Sequence, residues 1–296
     1  MGKRGFYWTV KVNWRILCTA ALGAAVLFTA LFTVNAATLE KERSISGKKI
    51  PIVMYHSVLK DKTYHGKYVI SPDELESDLL YLKEHGYTTV LPQDLIAYTE
   101  GRELPERPVI ITFDDGYYNN YLYAFELAKK HDCKFLISPI GYFSDLYTKS
   151  GEHNGYYTHC TWDQLREMAD SGLVEVGNHS YDLHKSSGKF VGVRKAVGET
   201  EEQYRKRLTG DLEQAQNAIK TGVGAEAKTF VYPFGETSKT TPKLVKEMGF
   251  SVTMTCEETI SGITREPDSL YGLGRYLRPS GMSSREFFEK RMKLSE

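Results

Sequence analysis

The stretch "VIITFDDGYYNNY", residues 109–121, places two adjacent carboxylates and a glycine directly after a run of strand-forming residues. Val109 to Phe113 is typical of a buried strand, and Gly116 is a turn residue, so Asp114 and Asp115 are predicted to end that strand. Two like charges held close together repel each other, and a bound cation would remove the repulsion. The stretch therefore predicts a strand that delivers acidic groups to a metal site.

Short apolar strands and amphipathic helices alternate from "IPIVMYHS", residues 50–57, to the end of the chain. Capping boxes at Ser71 and Thr161 predict two helix starts, and Gly86 and Gly172 predict the corresponding ends. About seven alternations predict parallel strands joined by helical crossovers, either a doubly wound sheet or a (β/α) barrel. In both, functional residues collect at the C-terminal ends of the strands. Residues 143–160 and 185–199 break the rhythm and are predicted as surface loops on that side.

Composition gives few further constraints on the class of protein. The 296 residues are 41% hydrophobic, and Lys plus Arg equals Asp plus Glu at 38 each. The chain therefore has no excess of positive charge that would indicate a nucleic-acid partner. The four cysteines form no CxxC pair, which argues against a zinc ribbon or a disulfide framework. The cysteines are expected to be small buried residues. The protein is expected to be a monomer.

The N-terminus has the pattern of an export signal. Basic residues precede an uncharged apolar run from residue 16 to residue 34, a pattern that directs a segment into a membrane with its basic end inside. Residues 1–37 are therefore predicted to be a single-pass anchor or a signal peptide cleaved near Ala36. Residues 38–49 are predicted to be a linker, and residues 50–296 a single catalytic domain outside the cytoplasm.

Three motifs fall at consecutive strand ends: the two aspartates, "VGNHSYDLH" at residues 176–184, and "VYPFG" at residues 231–235. His179 and His184 converge only if His179 ends its strand and the chain turns before His184, and the intervening Asp182 favours such a turn. Two imidazoles and one carboxylate leave a coordination position open for water, as in catalytic zinc sites. The second aspartate is then available as a general base. Zinc suits these ligands, and cobalt, nickel and iron also bind them.

The other histidines give a weaker signal. His56 ends the first strand, where it is either a hydrogen-bond partner in the site or a buried structural histidine. Five others are expected at the surface: His65, His85, His131, His153 and His159.

Together, "TFDDG", "NHSYDLH" and "VYPFG" resemble, in order and spacing, the first three motifs of the polysaccharide deacetylases of carbohydrate esterase family 4, the NodB-homology domain. The opening "IPIVMYHSV" and the histidine spacing are most similar to the branch of poly-N-acetylglucosamine deacetylases. The resemblance covers about residues 50–280. It implies a distorted (β/α)7 barrel and a metal-dependent hydrolase that removes N-acetyl groups from a cell-wall or surface polysaccharide containing N-acetylglucosamine.

The resemblance also implies roles for individual residues. Asp114 corresponds to the catalytic base, and the main-chain N–H of Phe234 to a donor that stabilises the oxyanion. The implied metal ligands are Asp115, His179 and His184. The candidates for binding the glycan substrate are Tyr117, Tyr232 and Arg275. For Arg275 and Arg278, bracing the site is the alternative role. The aromatic residues expected near the mouth of the site are Tyr117, Tyr118, Tyr156, Tyr157 and Trp162.

Two departures from the family pattern leave alternatives open. Val231 stands where many members have an arginine that braces the base, and no histidine follows His184, although members commonly have a Leu-x-x-His segment that protonates the leaving amine. His56 or a metal-associated proton is then the candidate acid. A weakly active or inactive glycan-binding homologue is one alternative. An O-acetyl esterase with the same metal site is another, because its better leaving group needs less help from an acid.

Overall fold

The structure, a computed structural model, describes residues 47–294 of the chain. Its strands are β1 Lys48–Ile50, β2 Ile52–Tyr55, β3 Ser57–Val58, β4 Val69–Ile70, β5 Thr88–Thr89, β6 Pro108–Asp115, β7 Phe135–Pro139, β8 Val174–Val176, β9 Ser186–Ser187, β10 Phe190–Val191, β11 Thr229–Val231, β12 Val252–Met254, β13 Ser261–Ile263 and β14 Tyr276–Leu277. Its α-helices are α1 Pro72–Glu84, α2 Pro92–Thr99, α3 Phe125–His131, α4 Gly141–Ser150, α5 Trp162–Asp170, α6 Glu201–Val223 and α7 Thr241–Glu247. Tighter or wider helical turns occupy Lys62–Tyr64, Asn120–Ala124, Pro233–Gly235, Pro267–Leu270 and Glu286–Arg291.

The central sheet consists of parallel strands in the order β14-β2-β6-β7-β8, with β5 beside the start of β6. A second parallel pair, β11 and β12, adjoins this sheet through isolated bridges. Asn178, just after β8, bridges to Phe230, and Met254 bridges to Leu273, shortly before β14. The C-terminal ends of all these strands lie on the same side of the molecule, as parallel pairing requires.

The α/β class with parallel strands confirms the prediction from the alternating pattern. The distorted (β/α)7 barrel is not found as a closed sheet among residues 47–294. The two parallel sheets meet through single bridges rather than continuous ladders, so the ring of strands is interrupted on both sides of the β11–β12 pair.

Strand β6 sits between β2 and β7, and all eight of its residues are buried. Because alternate side chains of a strand point to opposite faces, Ile111 and Phe113 pack with the surrounding helices while Ile110 packs among the strands. Thr112 and Asp114 share the face of Ile110. The strand therefore directs Asp114 inward, at its C-terminal end.

Both predicted helix starts are present, since Ser71 and Thr161 each form a complete capping box. The predicted loop at 143–160 is partly wrong, because α4 occupies Gly141–Ser150. This helix is held by long-range contacts. Its Asp145 accepts hydrogen bonds from Trp162 Nε1 at 2.6 Å and from the Tyr181 hydroxyl at 2.7 Å.

The residues that the structure describes include only part of the predicted domain boundaries. Lys48 and Lys49, predicted as linker, form β1 and pair with β13. The apolar run at residues 16–34 lies outside the described residues. Between residues 47 and 294, no helix combines the length and the apolar character needed to cross a bilayer. Cys133 and Cys160 are free and buried as predicted, whereas Cys256 is partly exposed.

A buried ion pair fixes the C-terminal segment to α1. Arg278 donates to Asp78 through Nε at 2.8 Å and Nη2 at 3.1 Å, and both side chains are almost completely buried. The Tyr55 hydroxyl donates to the same carboxylate at 2.9 Å. Arg278 Nη2 also donates to the carbonyl of Met282 at 2.7 Å, so Asp78 and Arg278 together connect α1, β2 and the C-terminal segment.

We expect Asp78→Asn to lower the free energy of unfolding by about 3–5 kcal/mol, because it leaves the Arg278 charge buried without a counter-charge. Urea unfolding followed by circular dichroism measures this. The matched control is Asp73→Asn on the exposed side of α1, for which a loss below about 1 kcal/mol is expected. Equal losses in the two variants would contradict the stabilising role of the pair.

A second carboxylate, Glu175 in β8, makes stability depend on pH. It accepts hydrogen bonds from the Gln93 N–H and the Thr229 hydroxyl, both at 2.9 Å, but burial raises its pKa to about 7. The folded protein therefore binds a proton more tightly than the unfolded chain does. The contribution of Glu175 to the stability of the fold is fully present below the pKa that this group has in the unfolded chain. It is lost as the pH rises to about 7.

We expect Glu175→Gln to remove this loss, because the amide can still accept from Gln93 and donate to Thr229 without carrying a charge. At pH 8 the variant should be more stable than the wild type by about 1–3 kcal/mol, and the difference should disappear near pH 4. Urea unfolding at both pH values tests this. A difference that does not change with pH would refute the assignment.

Candidate active site

The C-terminal ends of the strands surround one open cavity of about 640 Å³. Its floor contains Asp114 and Asp115 from the end of β6, and His179 from the segment after β8. The walls include His56, which directly follows β2, and Phe234, which follows β11. The three motifs that the sequence placed at separate strand ends are therefore together, as parallel pairing predicts.

The backbone turns sharply at each of these strand ends. Asp115, Ser180 and Phe234 have positive φ angles of 68°, 73° and 59°, values that residues other than glycine rarely adopt. Each such residue costs roughly 1–3 kcal/mol, which the surrounding packing offsets. Gly116 continues the first turn at φ 74°, where an added Cβ would lie 2.8 Å from Pro139. These turns stop the strands and aim their last side chains at the cavity.

Asp115, His179 and His184 form a group with the geometry of metal ligands. Asp115 Oδ1 lies 3.6 Å from His179 Nε2 and 3.4 Å from His184 Nε2, and the candidate ligand atoms all lie within 4.8 Å of one another. Atoms bound tetrahedrally at about 2.0–2.1 Å from a zinc ion are roughly 3.3 Å apart, so the group is close to the required spacing. Within residues 47–294, Asp115 Oδ1 is buried and has no hydrogen-bond partner. A bound cation would compensate this buried oxygen by coordinating it.

The two histidines are prepared for this role by their surroundings. His179 Nδ1 lies 2.8 Å from the Val231 carbonyl, which fixes the proton on that nitrogen and leaves Nε2 free to bind a metal. Burial lowers the pKa of His179 to about 3 and also lowers the pKa of His184. Both imidazoles are therefore neutral near pH 7, the form that binds metals.

Asp114 is held by an arginine from a distant part of the chain. Arg275, fully buried, donates from Nη1 to Oδ1 at 2.6 Å and from Nη2 to Oδ2 at 2.8 Å. Burial alone would raise the pKa of Asp114, but the Arg275 guanidinium outweighs it and holds that pKa well below its usual range. Asp114 therefore stays ionised, the form in which a carboxylate accepts a proton.

Of the two roles left open for Arg275, this contact favours bracing the site over binding substrate. Arg275 does not line the cavity; it lies behind Asp114 and is also fixed by the Thr255 carbonyl at 2.9 Å from Nε. It provides the bracing arginine that the sequence lacks at Val231. Residue spacing could not decide between the two roles, because Arg275 precedes β14 and reaches Asp114 only through the pairing of β14, β2 and β6.

Asp115 has the opposite electrostatic environment. Burial and the neighbouring charge of Asp114 raise its pKa to about 6, although His56 opposes the shift. A cation beside Asp115 would reverse this effect by favouring the ionised carboxylate. The two adjacent aspartates are thus suited to different tasks, one as ligand and one as base.

His56 belongs to the site rather than to the core. It lines the cavity, and its carbonyl accepts a hydrogen bond from Asn120 Nδ2 at 2.7 Å, which fixes the segment after β2. Its buried Nδ1 has no partner among the described residues, and its ring contacts Tyr68 at 4.8 Å between centroids. Its role in proton transfer stays a prediction.

Four of the remaining candidates fall into two groups. Tyr117 lines the cavity beside Asp115, and Phe234 does so with 44% of its surface exposed and its ring 4.2 Å from that of His184. Tyr232 and Trp162 are buried and do not line the cavity, contrary to their predicted contact with substrate or its mouth.

His159 was predicted at the surface and is instead buried, at 6% exposure, because aromatic rings stack against it. The centroids of Tyr117 and Phe143 lie 4.7 Å and 4.4 Å from that of His159. Burial lowers the pKa of His159 to about 4, so the ring is neutral. The sequence does contain a signal for this burial. The segments "FSDLY" and "YYTHC", the second of which contains His159, hold four closely spaced aromatic residues.

An α/β fold whose strand ends bring one carboxylate and two imidazoles together beside an ionised carboxylate defines a protein with a candidate metal-hydrolase site. A family model described as polysaccharide deacetylase matches residues 101–253, and the chain belongs to this family. That assignment confirms the resemblance drawn from the three motifs.

Individual relatives agree with the family. The chain is 26% identical over 265 residues to a poly-beta-1,6-N-acetyl-D-glucosamine N-deacetylase of Escherichia coli K12, a match that covers 82% of this chain but only 38% of that protein's length. Among solved structures, a de-N-acetylase from Aggregatibacter actinomycetemcomitans is similar with a TM-score of 0.69 and 25% identity, over 80% of this chain and 97% of that one. IcaB from Ammonifex degensii is similar with a TM-score of 0.64 and 30% identity, over 79% and 93%.

We expect His184→Ala to weaken zinc or cobalt binding at least 100-fold, because it removes one of three protein ligands. Competition with a chromogenic chelator on the metal-stripped protein measures the affinity. The matched control is His153→Ala, an exposed histidine outside the cavity, for which no change is expected. Unchanged affinity in His184→Ala would exclude the Asp115-His179-His184 group as the metal site.

Proposed function

We propose that the chain is a metal-dependent N-deacetylase acting on a polysaccharide that contains N-acetylglucosamine. The observation that carries the proposal is the candidate ligand group of Asp115, His179 and His184 beside the separately held carboxylate of Asp114, in an open cavity. The name of the Escherichia coli relative supports a β-1,6-linked polymer as the substrate class.

A divalent metal on those three ligands would polarise the acetamide carbonyl and lower the pKa of a bound water. The residues of the chain perform the proton transfers. Asp114, fixed by Arg275, accepts the proton of the attacking water, because it is ionised and faces the cavity. The Phe234 N–H donates a hydrogen bond to the oxyanion as the carbonyl becomes tetrahedral. Acetate and a free amine are the products.

His56 is our candidate for protonating the leaving amine. It lines the cavity together with Asp114 and Asp115. This position compensates for the absence of a histidine after His184. It also favours catalysis over a role limited to glycan binding, since a binding module needs neither a base nor an acid beside a metal.

Zinc is the metal we propose, because two imidazoles and a carboxylate form the ligand set of many catalytic zinc sites. Cobalt, nickel and iron bind the same set and must be compared.

We further propose that the chain is exported. The support is the basic N-terminus followed by the apolar run at residues 16–34. An uncleaved run would anchor the catalytic domain as a monomer on the outer face of the membrane, and cleavage near Ala36 would release it.

The test measures acetate release from an N-acetylglucosamine hexamer by the full chain, stripped of metal and reloaded with zinc, cobalt, nickel or iron. We expect release only with metal, faster on the β-1,6-linked hexamer than on its β-1,4-linked counterpart. Asp114→Asn should lower kcat about 10²–10⁴-fold, as expected for the loss of a general base.

Because Asp114→Asn also leaves Arg275 without its counter-charge, thermal unfolding must show that the variant is folded. A folded His184→Ala protein provides a second inactive variant. Metal-loaded wild type that releases acetate from an O-acetyl sugar ester but from neither hexamer would favour the esterase. No release from any substrate would refute a hydrolase with these substrates.

A further inference from the structure

Two exposed tyrosines outside the catalytic cavity form a surface that the mechanism does not use. Tyr64 and Tyr156 are 55% and 54% exposed, and their ring centroids lie 5.4 Å apart. We call this pair the tyrosine platform. Large aromatic rings in water are usually covered, so two in contact at the surface indicate a binding site.

The platform is built from two separate segments of the chain. Tyr64 lies in the segment between β3 and β4, and Tyr156 lies in the segment between α4 and α5. Neither ring pairs with a sequence neighbour, so their contact depends on how the two segments are held together.

One buried side chain provides this connection. Asn119, fully buried, accepts a hydrogen bond from the Val58 N–H at 3.0 Å and donates to the Ser57 hydroxyl at 2.8 Å, both in β3. Its Nδ2 also donates to the carbonyl of Gly155 at 2.9 Å, immediately before Tyr156. The two segments are therefore fixed relative to each other before any ligand binds, which lowers the entropic cost of binding.

Both segments that carry the platform border the catalytic cavity. Lys67 and Tyr68, in the segment that carries Tyr64, line the cavity, and Tyr68 is 48% exposed. On the other side, Tyr117 lines the cavity and bridges to His159, in the segment that carries Tyr156. The two segments that carry the platform therefore also border the cavity that would hold one sugar of the polymer.

The chemistry of this surface fits sugar rings. Each tyrosine offers an apolar face to the C–H side of a pyranose and a hydroxyl at its tip, and the nearby Lys67 ammonium can donate to sugar hydroxyls. Neighbouring groups are polar or charged, among them Asp61, Lys62 and Glu152. A purely apolar partner is therefore disfavoured.

We propose that Tyr64 and Tyr156 form a stacking subsite for sugar residues of the glycan that lie outside the catalytic cavity. The proposal rests on the proposed function, of which it specifies one feature: the site engages several consecutive sugars and favours long chains over short ones.

The experiment compares kcat/KM for hexameric and dimeric N-acetylglucosamine in the metal-loaded full chain. Tyr64→Ala and Tyr156→Ala should each lower the hexamer-to-dimer ratio about three- to tenfold, mainly through KM for the hexamer. Tyr64→Phe and Tyr156→Phe keep the rings and should restore most of the ratio. Leu80→Ala, which truncates an exposed apolar side chain on α1, is the matched control and should leave the ratio unchanged.

A ratio equal to that of the wild type in both alanine variants would overturn the subsite. Failure of the proposed function is recognised separately, as a wild-type protein that hydrolyses neither oligomer. Hexamer binding to the metal-free proteins is then measured by calorimetry. Weaker binding in the alanine variants would support the subsite although the deacetylase proposal falls, and equal binding, or none to the wild type, would overturn it.

Discussion

The buried ion pair between Asp114 and Arg275 is the interaction on which the candidate site depends. Two charges in a protein interior are tolerated only when each compensates the other. Here the two terminal nitrogens of the guanidinium each donate to one oxygen of the carboxylate. The same arginine binds the Thr112 hydroxyl and the Thr255 carbonyl. One side chain therefore connects β6, the segment after β12 and the segment before β14, and keeps Asp114 ionised.

Adjacent residues acquire different properties because the backbone changes between them. Asp114 continues the alternation of β6 and points inward to Arg275, whereas Asp115 adopts a left-handed conformation and turns toward His179 and His184. The pKa of one carboxyl is lowered and that of the other is raised. The residues that follow serve the same site, since Asn119 and Asn120 fix the segments that carry the tyrosine platform and His56.

Local sequence signals predicted the parts of the fold that local forces determine. The capping boxes at Ser71 and Thr161 and the buried strand ending in two aspartates depend on neighbouring residues, so they were recognised correctly. Helix α4 was missed because Trp162 and Tyr181 hold its Asp145 from elsewhere in the chain. The alternation left a doubly wound sheet or a barrel open, and the family resemblance implied the distorted (β/α)7 barrel, but alternation does not determine whether the last strands form continuous ladders.

The sequence by itself determined the α/β class, the family and the candidate ligands, because strand ends, turn residues and metal-binding side chains all appear as short motifs. Only the tertiary structure decided that Arg275 braces Asp114, that His56 opens into the cavity, that His159 is buried, and that Tyr64 meets Tyr156. Each of these depends on contacts between residues far apart in the chain. Such contacts are set by strand order and by packing, and no local pattern records them.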